Sequence, residues 1–179
     1  MNPLWFGDSY DIVKRFFVGE VRSLGYAVYV EPMLTGDWDG RDDQLFRLLQ
    51  VRHVRDHVRL NERSALLIDP DTGVSERSTP KHVSSGKIVE YLAIHDLVFV
   101  FDQSFSRIGD ADAAMCSKLE RLNVCGAAGF YYNSHARFLF AARSWEPLTE
   151  LQARLRESGL PSSRLLPNSA PNLAVKRTG

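Results

Sequence analysis

The chain has 179 residues, 44% of them apolar and 11% aromatic, and carries 22 basic against 22 acidic side chains. That size and apolar content give one folded domain with a real core and exclude global disorder. A formal net charge of zero argues against non-specific nucleic-acid binding, leaving only a local basic patch as a route to a nucleic-acid partner.

In chain order, a helix is expected over 9–24, with Asp8 as its N-cap, Ile12, Val13, Phe16, Phe17, Val21 and Leu24 at helical spacing, and Gly25 as a left-handed stop. Residues 26–30 are β-branched and aromatic and read as a strand ending at Glu31-Pro32. A loop with turn chemistry at Thr35-Gly-Asp37 and Asp39-Gly40 leads into a helix over 42–50. Residues 52–63 are densely charged; His53 and His57 are four apart, as are Arg55 and Arg59, and lacking a third ligand the segment reads as a solvated helix or connection.

The strongest strand is 65–68, running into Asp69-Pro-Asp-Thr-Gly73, and a helix follows over 82–94. Residues 97–101 form a continuous apolar run, as a strand buried on both faces requires. Then come a helix over 111–122, strands over 127–132 and 137–142 joined by a short turn as an antiparallel hairpin, and a helix over 145–157 stopped by Gly159. Alternating strands and helices imply parallel pairing, hence a Rossmann-like doubly wound α/β fold over 1–160, mostly parallel, with the hairpin as an antiparallel edge. From Pro161 onward, Pro, Ser and Asn dominate and a flexible tail over 161–179 is expected.

Cys116 and Cys125 lack metal-ligand spacing and read as buried or half-buried free thiols in a reducing compartment. Residues 1–7 show no signal-peptide pattern, and no segment approaches the roughly 20 apolar residues of a membrane helix. The expected location is the cytoplasm, with no membrane partner.

Ligands of open parallel sheets bind beyond the carboxyl ends of the strands. Here those ends carry Glu31, Asp69 with Asp71, and Asp102, which are expected to converge on one edge to hold a cation, a ribose or donor groups. Asp8, Asp11 and Lys14, each three apart, put two acids and an amine on one helical face, a pattern that a cap and a surface salt bridge would also produce. Gln103 and Arg107 lie in a loop suited to a phosphate or a base, and His135 stands with Arg137 and two tyrosines at the turn of the expected hairpin. Gln103, Arg107 and His135 are the candidate substrate contacts.

Three motifs carry a family resemblance: Gly7-Asp-Ser-Tyr-Asp-Ile-Val-Lys14, Tyr29-Val-Glu-Pro-Met-Leu-Thr-Gly36 and Leu67-Ile-Asp-Pro-Asp-Thr-Gly73. The series resembles uncharacterised bacterial proteins with a strand-ending Asp-Pro-Asp-Asn-Gly motif. It is similar in layout to the 23S rRNA adenine-N6 methyltransferases and the three-Cys-motif partner proteins. The resemblance implies S-adenosylmethionine as a small-molecule cofactor held by Asp8, Asp11, Lys14, Glu31 and Gly36, and methyl transfer to a nucleobase amino group. It implies Asp69 as the acceptor that orients the amine, with Pro70 beside it and Asp71 and Asp102 as further site carboxylates. Asp71-Thr72 stands where those families carry Pro-Tyr.

Two other readings stay open. Glu31, Asp69, Asp71 and Asp102 are the residue types that hold Mg²⁺ or Mn²⁺ for phosphoester hydrolysis, and the Asp69-Pro-Asp71 strand end resembles that of haloacid-dehalogenase-like phosphatases. A non-catalytic binding protein built on the same fold would instead have Met33, Leu34 and Trp38 filling the cofactor space.

Overall fold

The computed structural model describes residues 2–56, 62–105 and 109–167. Its elements are α1 (Ser9–Ser23), β1 (Ala27–Glu31), α2 (Asp42–Leu49), β2 (Arg52–His53), β3 (Ser64–Ile68), β4 (Gly73–Ser75), β5 (His82–Ser84), α3 (Ser85–Tyr91), β6 (Leu97–Phe101), α4 (Ala111–Val124), β7 (Ala128–Tyr132), β8 (Phe138–Ala142), α5 (Trp145–Glu157) and β9 (Leu165–Leu166). His57, Arg59 and Arg107 lie outside the described residues.

Seven strands form one sheet in the order β2-β1-β3-β6-β8-β7-β9. β2, β1, β3 and β6 pair in parallel, β8 runs antiparallel to both β6 and β7, and β9 runs antiparallel to β7. Five strands therefore share one direction and β8 and β9 oppose them, giving an α/β architecture with a mostly parallel sheet flanked by helices, compatible with a Rossmann-like fold. The antiparallel strand β8 lies inside the sheet, between β6 and β7, rather than at its edge.

Side chains alternate across each strand, so the sheet buries two separate apolar layers. On one face Phe17 and Val21 of α1, Leu45 and Leu49 of α2, and Leu148, Leu151 and Leu155 of α5 pack against Val28, Val30, Leu67, Phe99, Phe130 and Phe140. On the other, Ile88 of α3 and Met115 and Leu122 of α4 pack against Tyr29, Leu66, Ile68, Val98, Val100 and Leu139. At β1 the chain moves outward to β2 and then returns to β3 on the opposite side, so the winding reverses between β1 and β3. Crevices for ligands form at the carboxyl ends of strands beside such a reversal.

Several expectations are corrected. The helix read over 82–94 is a short strand, β5, followed by α3; Ser84 ends the strand and caps the helix by accepting from Lys87 N. Ile12 and Phe16 belong to the outer side of α1, 56% and 36% exposed, while Asp11 and Lys14 share its buried side. Cys116 and Cys125 are both exposed. The tail does not begin at Pro161: Leu165 is buried and β9 extends the sheet through the pairs Tyr131↔Leu166 and Tyr132↔Leu165. No helix among the described residues is long and apolar enough to cross a membrane.

Candidate functional site

The first turn of α1 is built by its caps. Asp8 accepts from Tyr10 N at 2.8 Å and Asp11 N at 3.1 Å, and Asp11 reaches back through Oδ2 to accept from Gly7 N at 2.7 Å. This reciprocal arrangement satisfies the free amides at the helix start and fixes the Asp11 carboxylate. Its other oxygen, Oδ1, accepts from Lys14 Nζ at 2.9 Å, and the same ammonium donates to Asp69 Oδ2 at 2.8 Å. Lys14, Asp11 and Asp69 are 3%, 0% and 1% exposed. What the sequence offers as a surface salt bridge is thus a buried triad of two carboxylates and one ammonium.

The charges in the triad respond accordingly. Burial pulls the Lys14 ammonium down, but Asp69 and then Asp11 more than offset it and hold its pKa above the ordinary lysine value. Burial pushes the Asp69 carboxyl up; Lys14 opposes that, Asp11 adds to it, and the value stays above the usual carboxylate range.

Beside the triad a cleft of about 300 Å³ opens, lined by Asp8, Tyr10 and Lys14 from α1, Asp69, Pro70 and Asp71 after β3, Phe101 and Gln103 at the end of β6, and Asn2 and Trp5 from the N-terminal segment. Its volume is at the lower end of the range for small-molecule sites. Tyr10 packs on Phe101 with ring centroids 5.3 Å apart, and the Lys14 ammonium lies 4.7 Å from the Phe101 ring centre. Trp5, 65% exposed, forms an outer wall.

The carboxylates at the strand ends do not converge. Glu31 is in register with Ile68, and Ile68 with Val100, so these three share one face while Asp69 faces the other. Glu31 lines a separate cavity on the α3 face and accepts from Tyr91 Oη at 3.3 Å. Asp102, one residue beyond Phe101, also turns away from the main cleft. Its Oδ1 accepts from Val74 N at 3.0 Å, Ser104 N at 3.2 Å and Ser104 Oγ at 2.7 Å; its Oδ2 accepts from Lys118 Nζ at 2.7 Å and Tyr131 Oη at 2.8 Å. Burial lowers the Lys118 pKa, against the pull of Asp102, and raises that of Tyr131 well above its ordinary value, with Asp102 adding to the rise. Asp102 is the centre of a structural knot.

Gly36, at φ +77°, turns the loop after β1 next to Pro3 and is not part of the cleft wall. Trp38 is buried in the core against Phe6, Leu34 is 37% exposed and Met33 lines the cavity beside Glu31, so none of the three lines the cleft. His135 stacks on Tyr10, 6.0 Å between centroids, and does not itself line the cleft. Among the described residues no group of three or more His, Cys, Asp or Glu side chains is placed to hold a metal ion.

Sequence reasoning missed Asn2, Trp5, Tyr10 and Phe101 as lining residues, and Lys118 and Tyr131 as the partners of Asp102. Phe101, the last residue of an apolar strand, was recoverable as a strand-end group, and Tyr10 as the second residue after the Asp8 cap. Nothing in the sequence marks Trp5.

The loop carrying Pro70 and Asp71 returns to the knot at Gly73. That residue has φ +128°, and a Cβ there would lie 2.1 Å from Asp102 Oδ1 and 3.0 Å from its Cα. Gly73→Ala is therefore expected to cost about 2–3 kcal/mol, read as a lower urea midpoint with an unchanged slope. An unshifted midpoint would mean that the knot is loose.

Fold and site together define an α/β domain with a cleft of about 300 Å³ at the carboxyl end of a mostly parallel sheet. Comparison with protein-family models, with curated proteins and with solved structures finds no match for this chain.

Proposed function

We propose that this Rossmann-like domain is an S-adenosylmethionine-dependent methyltransferase acting on a nucleobase amino group, with cofactor and acceptor meeting in the cleft beside Lys14. One observation carries the reading: two of the three motifs behind the family resemblance, Gly7–Lys14 and Leu67–Gly73, come together across 55 residues of sequence through the Lys14–Asp69 bond and line one cleft. The third motif runs alongside, with Glu31 O accepting from Asp69 N at 3.0 Å.

The lining suits the cofactor's parts. Trp5, Tyr10 and Phe101 offer ring faces to a flat purine, and Asp8 and Asp71 offer carboxylates to its cationic groups. When bound, the cofactor supplies an electrophilic methyl group on a positively charged sulfur. The chain's part is to bind, orient and exclude water. Lys14 holds the Asp69 carboxylate in place, Pro70 adds an apolar wall beside it, and the Asp71 carboxylate and the Gln103 amide are the polar groups available to an acceptor amine. Glu31 and Asp102 face the opposite side of the sheet and take no part.

Thermal unfolding with and without S-adenosylhomocysteine tests this. At about 100 times its dissociation constant the ligand adds roughly 2.7 kcal/mol, a rise on the order of 5–10 °C in a chain of this size. The rise is expected to shrink in Trp5→Ala and Asp71→Ala. No rise at millimolar ligand would overturn the reading.

A further inference from the structure

We propose that the cavity on the α3 face is a second binding site, separate from the cleft beside Lys14, that takes a free α-amino acid with an apolar side chain. Its ammonium sits on Glu31, its carboxylate on Lys87, and its side chain against Met33, Ile68 and Val83. The inference stands independently of the methyl-donor reading. The cavity holds about 260 Å³ and lies at the carboxyl ends of β1 and β3, whose last residues, Glu31 and Ile68, are paired in register. The winding of the sheet reverses between these two strands, which is where open α/β sheets bind ligands. Its volume suits a molecule smaller than a nucleotide.

Two opposite charges that do not pair with each other set the chemistry of this cavity. Among the described residues the Glu31 carboxylate accepts one side-chain hydrogen bond, from Tyr91 Oη at 3.3 Å, and its second oxygen is open to a ligand. Burial and Glu31 push the Tyr91 hydroxyl up to about 12, so it stays a donor at neutral pH. The Lys87 ammonium lies 5.0 Å from the centre of the same Tyr91 ring, so one tyrosine separates anion from cation. Lys87 pairs with Glu90 at 2.8 Å, but these side chains are 44% and 68% exposed. An exposed pair of that kind is worth little, and a ligand carboxylate can take Lys87 over at small cost. The remaining polar side chains of the wall are engaged locally, Thr79 Oγ1 with His82 Nδ1 at 3.0 Å and Ser78 Oγ with Ser84 Oγ at 2.9 Å. The rest is apolar, with Ile68 and Val83 buried and Met33 half-buried. A zwitterion meets both charges, whereas a simple amine leaves Lys87 facing a cation and a simple acid leaves Glu31 facing an anion. Met33 itself holds a left-handed backbone, φ +42°, a conformation that costs energy in a residue with a Cβ and that gathers at ligand sites.

Isothermal titration of the full chain with L-leucine and with L-phenylalanine tests the inference. At least one is expected to bind saturably, and about tenfold more tightly than its analogues lacking one charge, which for leucine are 3-methylbutylamine and 4-methylpentanoate. Glu31→Gln and Lys87→Met are each expected to weaken the amino acid about tenfold while Tm stays within about 2 °C, since neither side chain is fully buried. Saturating S-adenosylhomocysteine is expected to leave the amino-acid affinity within about twofold, because Glu31 faces away from the other cleft. No saturable binding of either amino acid at about 10 mM overturns the inference. So does an amine or acid analogue that binds as tightly as the zwitterion, an unchanged affinity in Glu31→Gln, or competition with S-adenosylhomocysteine. The methyl-donor reading is tested separately by the response to S-adenosylhomocysteine alone.

Discussion

Lys14→Met is expected to destabilise the protein by about 3–5 kcal/mol at neutral pH, a fall in Tm of roughly 6–20 °C. The substitution keeps the unbranched apolar stem and removes the cation that Asp11 and Asp69 share at 2.9 and 2.8 Å. Two carboxylates at 0% and 1% exposure then face each other. They relieve the conflict by taking up a proton, so the variant should recover stability as pH falls through the raised carboxyl range. Asp69→Asn is the informative control. It removes one of the two carboxylates on Lys14, retains an oxygen for that ammonium, and is expected to cost less, about 1–2 kcal/mol.

In the wild type the sign is opposite at the other end of the scale. The Lys14 pKa is raised in the fold, so its contribution is fully present below the ordinary lysine value of 10.5 and is lost only as pH rises through the folded value. A Lys14→Met Tm within about 2 °C of wild type at pH 7 would show that the triad is not the buried ionic unit described above.

The second large effect is expected at Asp102. Asp102→Ala removes the acceptor of five donated hydrogen bonds at once and leaves the Lys118 ammonium, 5% exposed, without its carboxylate. Stranding a buried charge costs about 3–5 kcal/mol. The pH signature differs from that of Lys14→Met. Burial already lowers the Lys118 pKa, and losing Asp102 lowers it further. The folded variant then holds fewer protons than its unfolded chain, so it should regain stability as pH rises toward 10.5. Because Asp102 faces away from the cleft, the loss is expected in Tm and not in the ligand affinity of the molecules that remain folded. A Tm unchanged within error, together with abolished ligand binding, would instead return Asp102 to the site.

The contrast between Asp69 and Asp102 shows how much of this was legible in the sequence. Both residues follow apolar strands, and both were recognisable as strand-end carboxylates. Which face each takes depends on the register of β1, β3 and β6, in which Glu31, Ile68 and Val100 align. One residue of offset sends a side chain to the opposite layer. Register is a property of the assembled sheet, so four acids that appear to converge in the sequence are divided between two faces.

Elements with strong apolar patterning were readable: the continuous run 97–101 and the segment 145–157 match β6 and α5. The stretch over 82–94 was not, because Ile88 and Leu92 have helical spacing, Val83 alone carries no strand pattern, and the Ser84 cap lies inside it. β9 escaped because two apolar residues carry no pattern; Leu165 and Leu166 are placed by pairing with β7 and by packing on the core. Within the site, Asp8, Asp11, Lys14, Asp69, Pro70, Asp71 and Gln103 were identifiable by residue type and spacing. The burial of Lys14 and the wall built by Trp5 arise from tertiary packing alone.

The most direct test of the central claim, that the cleft beside the Lys14–Asp69 pair is the ligand site, is a crystal structure of the full chain grown with S-adenosylhomocysteine. Density for the ligand is expected among Trp5, Tyr10, Asp71 and Gln103, with the Lys14–Asp69 bond intact. Ligand bound on the α3 face beside Glu31, or elsewhere with this cleft vacant, would contradict it.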